Sequence, residues 1–229
     1  LSDRMDVVVH YQPFFDPSNG DLLGMESLVR IKSGNSLFLP ETFLYNAEKN
    51  GWISGIDKAV LSRGLSQASE WRKDERDDFF HLSFNISIWT LAEDRHFASF
   101  VDEHLRLNGF APGRLRLSFP ETILTDHQNL LHGVLRELHE LGVVIEIDHF
   151  GMGAAPLPSV CHSIAGGVRI DGSFAGTMLE TEASYSFIRG VIGLGKSLDL
   201  SVSVTGVENE EQYKALAGFG CSCVQGFYL

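Results

Sequence analysis

The chain has 229 residues, 44% hydrophobic and 21% charged, with a formal net charge of −12 from 18 basic and 30 acidic side chains. This composition excludes disordered, collagen-like and low-complexity classes. So acidic a surface repels a nucleic-acid polymer over most of its area, while a small phosphorylated ligand can still be gripped locally by a few placed arginines.

No apolar run approaches the ~20 residues of a membrane-crossing helix. The first six residues include the charged Asp3, Arg4 and Asp6, and the apolar run Val7–Val9 is short, so no secretory leader is expected. The chain lacks an initiator Met and reads as a single domain spanning 1–229, cut from a longer protein. Cys161, Cys221 and Cys223 have neither zinc spacing nor a disulfide framework; small buried thiols in a reducing cytoplasm are expected.

In chain order, Val7 to Phe15 is an apolar β-rich run, 16–21 (Asp-Pro-Ser-Asn-Gly-Asp) a turn, and Leu22 to Ile31 a second strand, which reads as a hairpin. Pro40 and Glu41 open a helix. Ser54 to Lys73 is an amphipathic helix with Ile56, Val60, Leu61, Leu65 and Ala68 at helical spacing. Then come a strand Phe79 to Ile86, a helix Asp94 to Leu107, a strand Leu115 to Phe119 and a helix Thr122 to Leu141. The strand Val143 to Ile147 ends in an Asp-His-Phe-Gly loop, and the short strand Gly167 to Ile170 ends at Asp171. Ser184 to Leu198 (helix), Ser201 to Val204 (strand), Glu208 to Ala217 (helix) and Ser222 to Gln225 (strand) complete the chain.

Alternating βα units imply parallel pairing through right-handed crossovers, hence an α/β fold: a (β/α)8 barrel or a doubly wound sheet. The polar residues Asn85, Glu121, Asp148, Asp171 and Gln225 follow strands. A barrel gathers such strand ends on one face, which favours it over an open sheet.

Seven stretches together resemble the EAL domain family of bacterial cyclic di-GMP phosphodiesterases. They are Tyr11-Gln12-Pro13, Glu26-Ser27-Leu28-Val29-Arg30, Asn85-Ile86-Ser87, Asp148-His149-Phe150-Gly151, Arg169-Ile170-Asp171, Gly206-Val207-Glu208 and Gln225-Gly226, in the family's order and spacing. The resemblance implies a TIM-like (β/α)8 barrel with one reversed strand. Active members hold two Mg²⁺ or Mn²⁺ ions between strand-end carboxylates and release linear pGpG.

Against that pattern Glu26, Asn85, Glu121, Asp148, Asp171 and Glu208 are kept, but Ser118, His149 and Thr205 stand where the family has acids, and Arg169 where it has Lys. Of five acids at positions 26, 118, 148, 149 and 205 only Glu26 and Asp148 remain. Each missing charge costs several kcal/mol beside a divalent ion, by Coulomb's law at an effective dielectric of ~20. No metal or other cofactor is therefore expected, with Glu26, Asn85 and Asp148 as residual ligands, and Mg²⁺ or Mn²⁺ only if some hydrolysis persists.

The resemblance puts Arg30 on a phosphate, Leu28 near a guanine, and Gln12 and Gln225 at base or phosphate hydrogen bonds. Arg169 offers a planar fork suited to phosphate oxygens. The expectation is a cyclic di-GMP receptor of degenerate EAL type in second-messenger signalling; a protein-interaction module and a residual phosphodiesterase are the alternatives. Plainer roles also stand: Arg30 paired with Glu26 or Asp148, Asn85 as a turn former, His149 as an inert substitution and Glu208 as an acid at a helix start. A protein partner or neighbouring signalling domains are expected, a homodimer is allowed, and any membrane tether would lie in other segments.

Overall fold

A computed structural model describes residues 5–71, 80–124, 128–153, 159–160 and 163–229. Cys161, His127, His162, Lys73 and Phe79 lie outside the described residues. β1 (Met5–Phe15) and β2 (Leu22–Ser33) form the expected antiparallel hairpin, with Val7 opposite Ile31 and Gln12 opposite Glu26. Its turn is closed by side chains: Asp16 Oδ1 accepts the Ser18 N–H at 2.8 Å and Asn19 Oδ1 accepts the Asp21 N–H at 2.9 Å. A short β3 (Ser36–Phe38), not anticipated from the sequence, pairs with β2 on the outside.

Helices α1 (Pro40–Lys49) and α2 (Ile53–Trp71) lead to β4 (His81–Asn85), α3 (Ile88–Glu93) and α4 (Phe97–Leu107). β5 (Leu115–Pro120), a 3-10 turn Glu121–Leu124, α5 (Gln128–Glu140) and β6 (Val144–Phe150) follow. Then come β7 (Gly167–Ile170), α6 (Gly172–Thr177), α7 (Glu182–Leu198), β8 (Ser201–Val204), α8 (Glu210–Phe219) and β9 (Cys223–Val224).

β2, β4, β5, β6, β7, β8 and β9 are parallel neighbours in that order, and β1 closes the ring between β9 and β2, antiparallel to both. The fold is a closed eight-stranded α/β barrel with one reversed strand and β3 appended. The hairpin reverses β1 because a short turn can only join antiparallel strands.

Three expected boundaries move for local reasons. The helix expected over Asp94 to Leu107 is preceded by a separate α3, whose N-cap Ser87 accepts the Trp89 N–H. The last helix begins at Glu210 rather than Glu208, because Asn209 and Gln212 form a capping box. The strand expected to end at Ile147 runs on to Phe150 through a register shift between Ile147 and Phe150.

Alternation decides which side chains meet which layer. Leu82, Phe84, Leu115, Leu117, Phe119, Ile145, Ile147, Val168, Ile170, Val202 and Val204 are buried against the helices, where Leu61, Leu65, Val101, Leu131, Ile188 and Leu216 are also buried. The alternate positions face the barrel interior, and they are polar: Glu26, Ser83, Ser118, Glu146, Arg169, Ser203 and Gln225 are all buried. Barrels of this class usually fill with Val, Ile and Leu. Here small serines leave room for long charged side chains.

Candidate functional site

Above this interior, at the C-terminal ends of β2, β4, β5 and β6, lies a groove of about 430 Å³. Leu28, Asn85 and Asp148 line it, together with Ser118 and His149. Glu26, Arg169 and Gln225 lie beneath it, buried. Gln12 is half-buried across the hairpin from Glu26. Arg30 follows two residues after Leu28 on the same strand face, half-buried, and its Nη1 donates to the Val29 carbonyl at 2.7 Å. The pairing of Arg30 with Glu26 or Asp148 does not form among the described residues. Glu208 is exposed just before the Asn209 cap, as its plainer reading anticipates.

The buried residues form one network. Glu26 Oε1 accepts hydrogen bonds from Asn85 Nδ2 at 2.7 Å and Arg169 Nη1 at 2.9 Å, and its Oε2 accepts from Gln225 Nε2 at 2.9 Å. Arg169 Nη2 donates to Ser83 Oγ at 2.9 Å and to Glu146 Oε2 at 3.3 Å, and Nη1 lies 3.6 Å from Asp148 Oδ2. Glu146 also accepts from Arg116 Nη1 at 2.6 Å and from Ser118 Oγ at 3.2 Å.

Burial pushes the Glu26 carboxyl up, but the Arg169 charge and the bonds from Asn85, Gln225 and Arg169 outweigh it, holding the group below the usual range. Burial opposes ionisation of Glu146 too, and Arg116 and Arg169 together reverse it. For Asp148 burial wins over Arg169 and the carboxyl is raised. Arg169 is held firmly protonated, because Glu26, Asp148 and Glu146 outweigh its own burial.

Two expectations change here. The Arg169 fork is not turned to the groove: its donors are engaged by Glu26, Ser83 and Glu146 inside the barrel. Gln225 is likewise engaged, holding Glu26. Glu146 was missed, although strand alternation places it on the same face as Asp148, two residues away.

The register shift in β6 is a bulge. His149 takes a left-handed backbone at φ 52°, and its N–H bonds Asp148 Oδ1 at 2.8 Å. Its ring Nδ1 lies 2.7 Å from Asp171 Oδ2, while Asp171 Oδ1 accepts the Ser173 N–H at 2.9 Å as the N-cap of α6. Burial lowers the imidazole pKa, but the Asp171 hydrogen bond and the charges of Asp148 and Asp171 carry it above the ordinary value. Glu121 Oε2 accepts the Gly151 and Gly153 N–H groups at 3.1 and 3.0 Å, tying down the strand's exit. Thr205 Oγ1 donates to the Ile170 carbonyl at 3.3 Å.

At the other end of the groove, buried Asp57 of α2 accepts the Ser87 N–H at 2.9 Å and the Thr90 hydroxyl at 2.5 Å, and Glu48 accepts the Ser87 hydroxyl at 2.8 Å. Burial pushes Asp57 up to about 7, against the pull of the Thr90 and Ser87 bonds and with the Glu48 charge adding to it. Cys221 is buried, its Sγ donating to the Val202 carbonyl at 3.2 Å, and burial raises its thiol to about 12. No helix of the described residues is long and apolar enough to cross a membrane.

Comparison with known proteins agrees with this architecture. A Caulobacter vibrioides protein described as an uncharacterized signaling protein is 34% identical over 226 residues, covering 98% of this chain and 27% of that protein. The Pseudomonas aeruginosa bifunctional diguanylate cyclase/cyclic di-GMP phosphodiesterase MucR is 30% identical over 231 residues, covering 99% of this chain and 33% of that protein. The chain thus spans a quarter to a third of these relatives.

A structure of the PaMucR phosphodiesterase in complex with c-di-GMP superposes with a TM-score of 0.87 at 30% identity, covering 96% of this chain and 89% of that one. The Xanthomonas citri FimX EAL domain in complex with c-diGMP shares the fold, at a TM-score of 0.84 and 21% identity, covering 96% of this chain and 85% of that one. With the EAL domain model matching residues 2–229 over this reversed-strand barrel, the chain belongs to the EAL domain family.

Proposed function

We propose that this chain is a cyclic di-GMP receptor, a module of a larger signalling protein, that binds the dinucleotide without divalent metal and hydrolyses it little or not at all. The dinucleotide is suggested by the PaMucR phosphodiesterase, whose structure is a c-di-GMP complex, and by Leu28, Arg30 and Asn85 at or beside the groove.

The observation that carries the reading is the Arg169 guanidinium set among Glu26, Glu146 and Asp148. That cation offsets one of the three acids around it, and with Ser118, His149 and Thr205 standing where the family has acids the site keeps too little negative charge to offset the mutual repulsion of two divalent ions. Mg²⁺ and Mn²⁺ want about six oxygen ligands. Of the acids left here, Glu26 is hydrogen-bonded by Asn85, Arg169 and Gln225, and Asp148 carries a raised pKa. Among the described residues no group of three or more His, Cys, Asp or Glu side chains is arranged to hold a metal ion. The residues present do not fit a pair of divalent ions.

The test is isothermal titration of the protein with cyclic di-GMP in chelator, with a pGpG assay in Mn²⁺ on the same sample. Micromolar or tighter binding in chelator without product is the expected result. Product whose formation vanishes in Glu26→Ala would make the chain a phosphodiesterase, and no heat at high protein concentration would leave an interaction module.

A further inference from the structure

We propose, resting on the receptor reading above, that the Trp89 indole is a stacking platform for one purine base of the bound dinucleotide, held at the groove by the contacts that fix the start of α3. Position 89 lies outside the seven stretches that carry the family resemblance, so those motifs assign it no role.

The groove calls for such a ring. Its apolar lining is mostly aliphatic, with Leu28, Val29, Leu44 and Ile53 among its residues. Trp89 is the only Trp, Tyr or Phe among the described residues that line it. Of the large apolar side chains left exposed among the described residues, Trp89 alone lines the groove, at 47% exposure. A half-open indole in a concave site forgoes the burial that a ring of its size would gain, and a flat base laid against it supplies that burial. The charged lining side chains are Glu48, Asp57, Asp148 and His149, so acids predominate. The part of a dinucleotide that enters such a lining without charge repulsion is the neutral base.

The local fold sets the ring in place. Trp89 is the second residue of α3, whose buried residues are Thr90 and Leu91. Its N–H bonds Ser87 Oγ at 3.3 Å. Ser87 is fixed from two further sides: Asp57 accepts its N–H at 2.9 Å and Glu48 accepts its hydroxyl at 2.8 Å. Asp57 also accepts the Thr90 hydroxyl at 2.5 Å. Residues of α1, α2 and α3 thus hold the backbone that carries the indole. A platform placed in advance loses little freedom when the ligand arrives. Stacking tolerates any base, so Trp89 adds affinity and leaves the choice among bases to other groups.

The experiment titrates wild type, Trp89→Leu and Trp89→Phe with cyclic di-GMP in chelator, and follows tryptophan emission beside the heat. The chain has three tryptophans, and Trp52 and Trp71 do not line the groove. Leu keeps apolar bulk and suits a helix but has no π face, whereas Phe keeps a flat face without the indole N–H. Trp89→Leu is expected to weaken binding by roughly 10–100-fold, the worth of one base–aromatic stack, and Trp89→Phe by less than about 5-fold. In wild type the ligand should quench emission, and the quench should vanish in Trp89→Phe. Binding by Trp89→Leu within about twofold of wild type overturns the inference and leaves the receptor reading standing. So does Trp89→Phe that binds no better than Trp89→Leu, or wild-type binding with no change in emission. Wild type that binds no dinucleotide removes the receptor reading, and this inference with it. Should Trp89→Leu fail to fold, the comparison of wild-type and Trp89→Phe emission decides.

Discussion

Arg169 carries more of this molecule's character than any other residue. It is a planar cation with a fixed fork, buried between Glu26 on β2 and Glu146 on β6, with Ser83 on β4 closing its hydrogen bonds. Burying three ions costs several kcal/mol each unless they compensate one another. Removing the cation alone exposes that cost. Arg169→Met is expected to lower stability by about 3–5 kcal/mol, read from urea unfolding, because Glu26 is left buried with no counter-charge and Glu146 with Arg116 alone. Adding Glu26→Gln should recover at least about 1 kcal/mol of it, and simple additivity of the two changes would refute the coupling. That position 169 holds Arg rather than Lys is plain in the sequence. Which way its fork points is not, because an interior Arg and a groove-facing Arg occupy the same strand position and differ only in what the neighbouring strands offer.

At the level of elements, the groove is held at both ends by carboxylates that work on backbone. Glu121 ties the strand exit after the β6 bulge through Gly151 and Gly153, and Asp57 of α2 ties the start of α3 through Ser87 and Thr90. Asp57 sits at about 7 in the fold against an ordinary 3.8. Between those values the folded chain keeps a proton that the unfolded chain has lost, so stability falls as pH rises through that window and levels off above it.

Asp57→Asn retains an acceptor for Ser87 and Thr90 but does not titrate. Between about pH 4 and about pH 8 the wild type should lose on the order of 4 kcal/mol more than this variant. Equal losses in paired urea titrations would show that Asp57 ionises normally. The bulge and the α2–α3 clasp escape sequence reading for one reason. Each is made of single residues whose partners lie 22 or more positions away, where local periodicity carries no signal.

Across the whole barrel, polarity is inverted relative to the usual packing: apolar side chains fill the layer between strands and helices, and charged side chains fill the centre. A ligand bound at the mouth of such a barrel bridges strand ends that are otherwise joined only laterally, so it should stabilise the entire fold. Cyclic di-GMP at 100 times its Kd is expected to add about 2.7 kcal/mol, a rise in Tm of roughly 5–10 °C for a domain of this size. The rise should appear in chelator; a shift seen only with Mn²⁺ would return the chain to the metal-dependent readings.

The barrel class, a single reversed strand, most helices and the family are legible along the chain, because strand alternation, turn chemistry and seven ordered motifs are all local or linear signals. The sequence also marks the lost acids at 118, 149 and 205. What surrounds those positions emerges only when the barrel closes. Closure brings Glu146 and Arg116 into the site, turns Arg169 and Gln225 inward, engages Asn85 on Glu26, and pairs His149 with Asp171. Those outcomes depend on which strands become neighbours and on how buried charges find compensation, and both are settled when the ring closes.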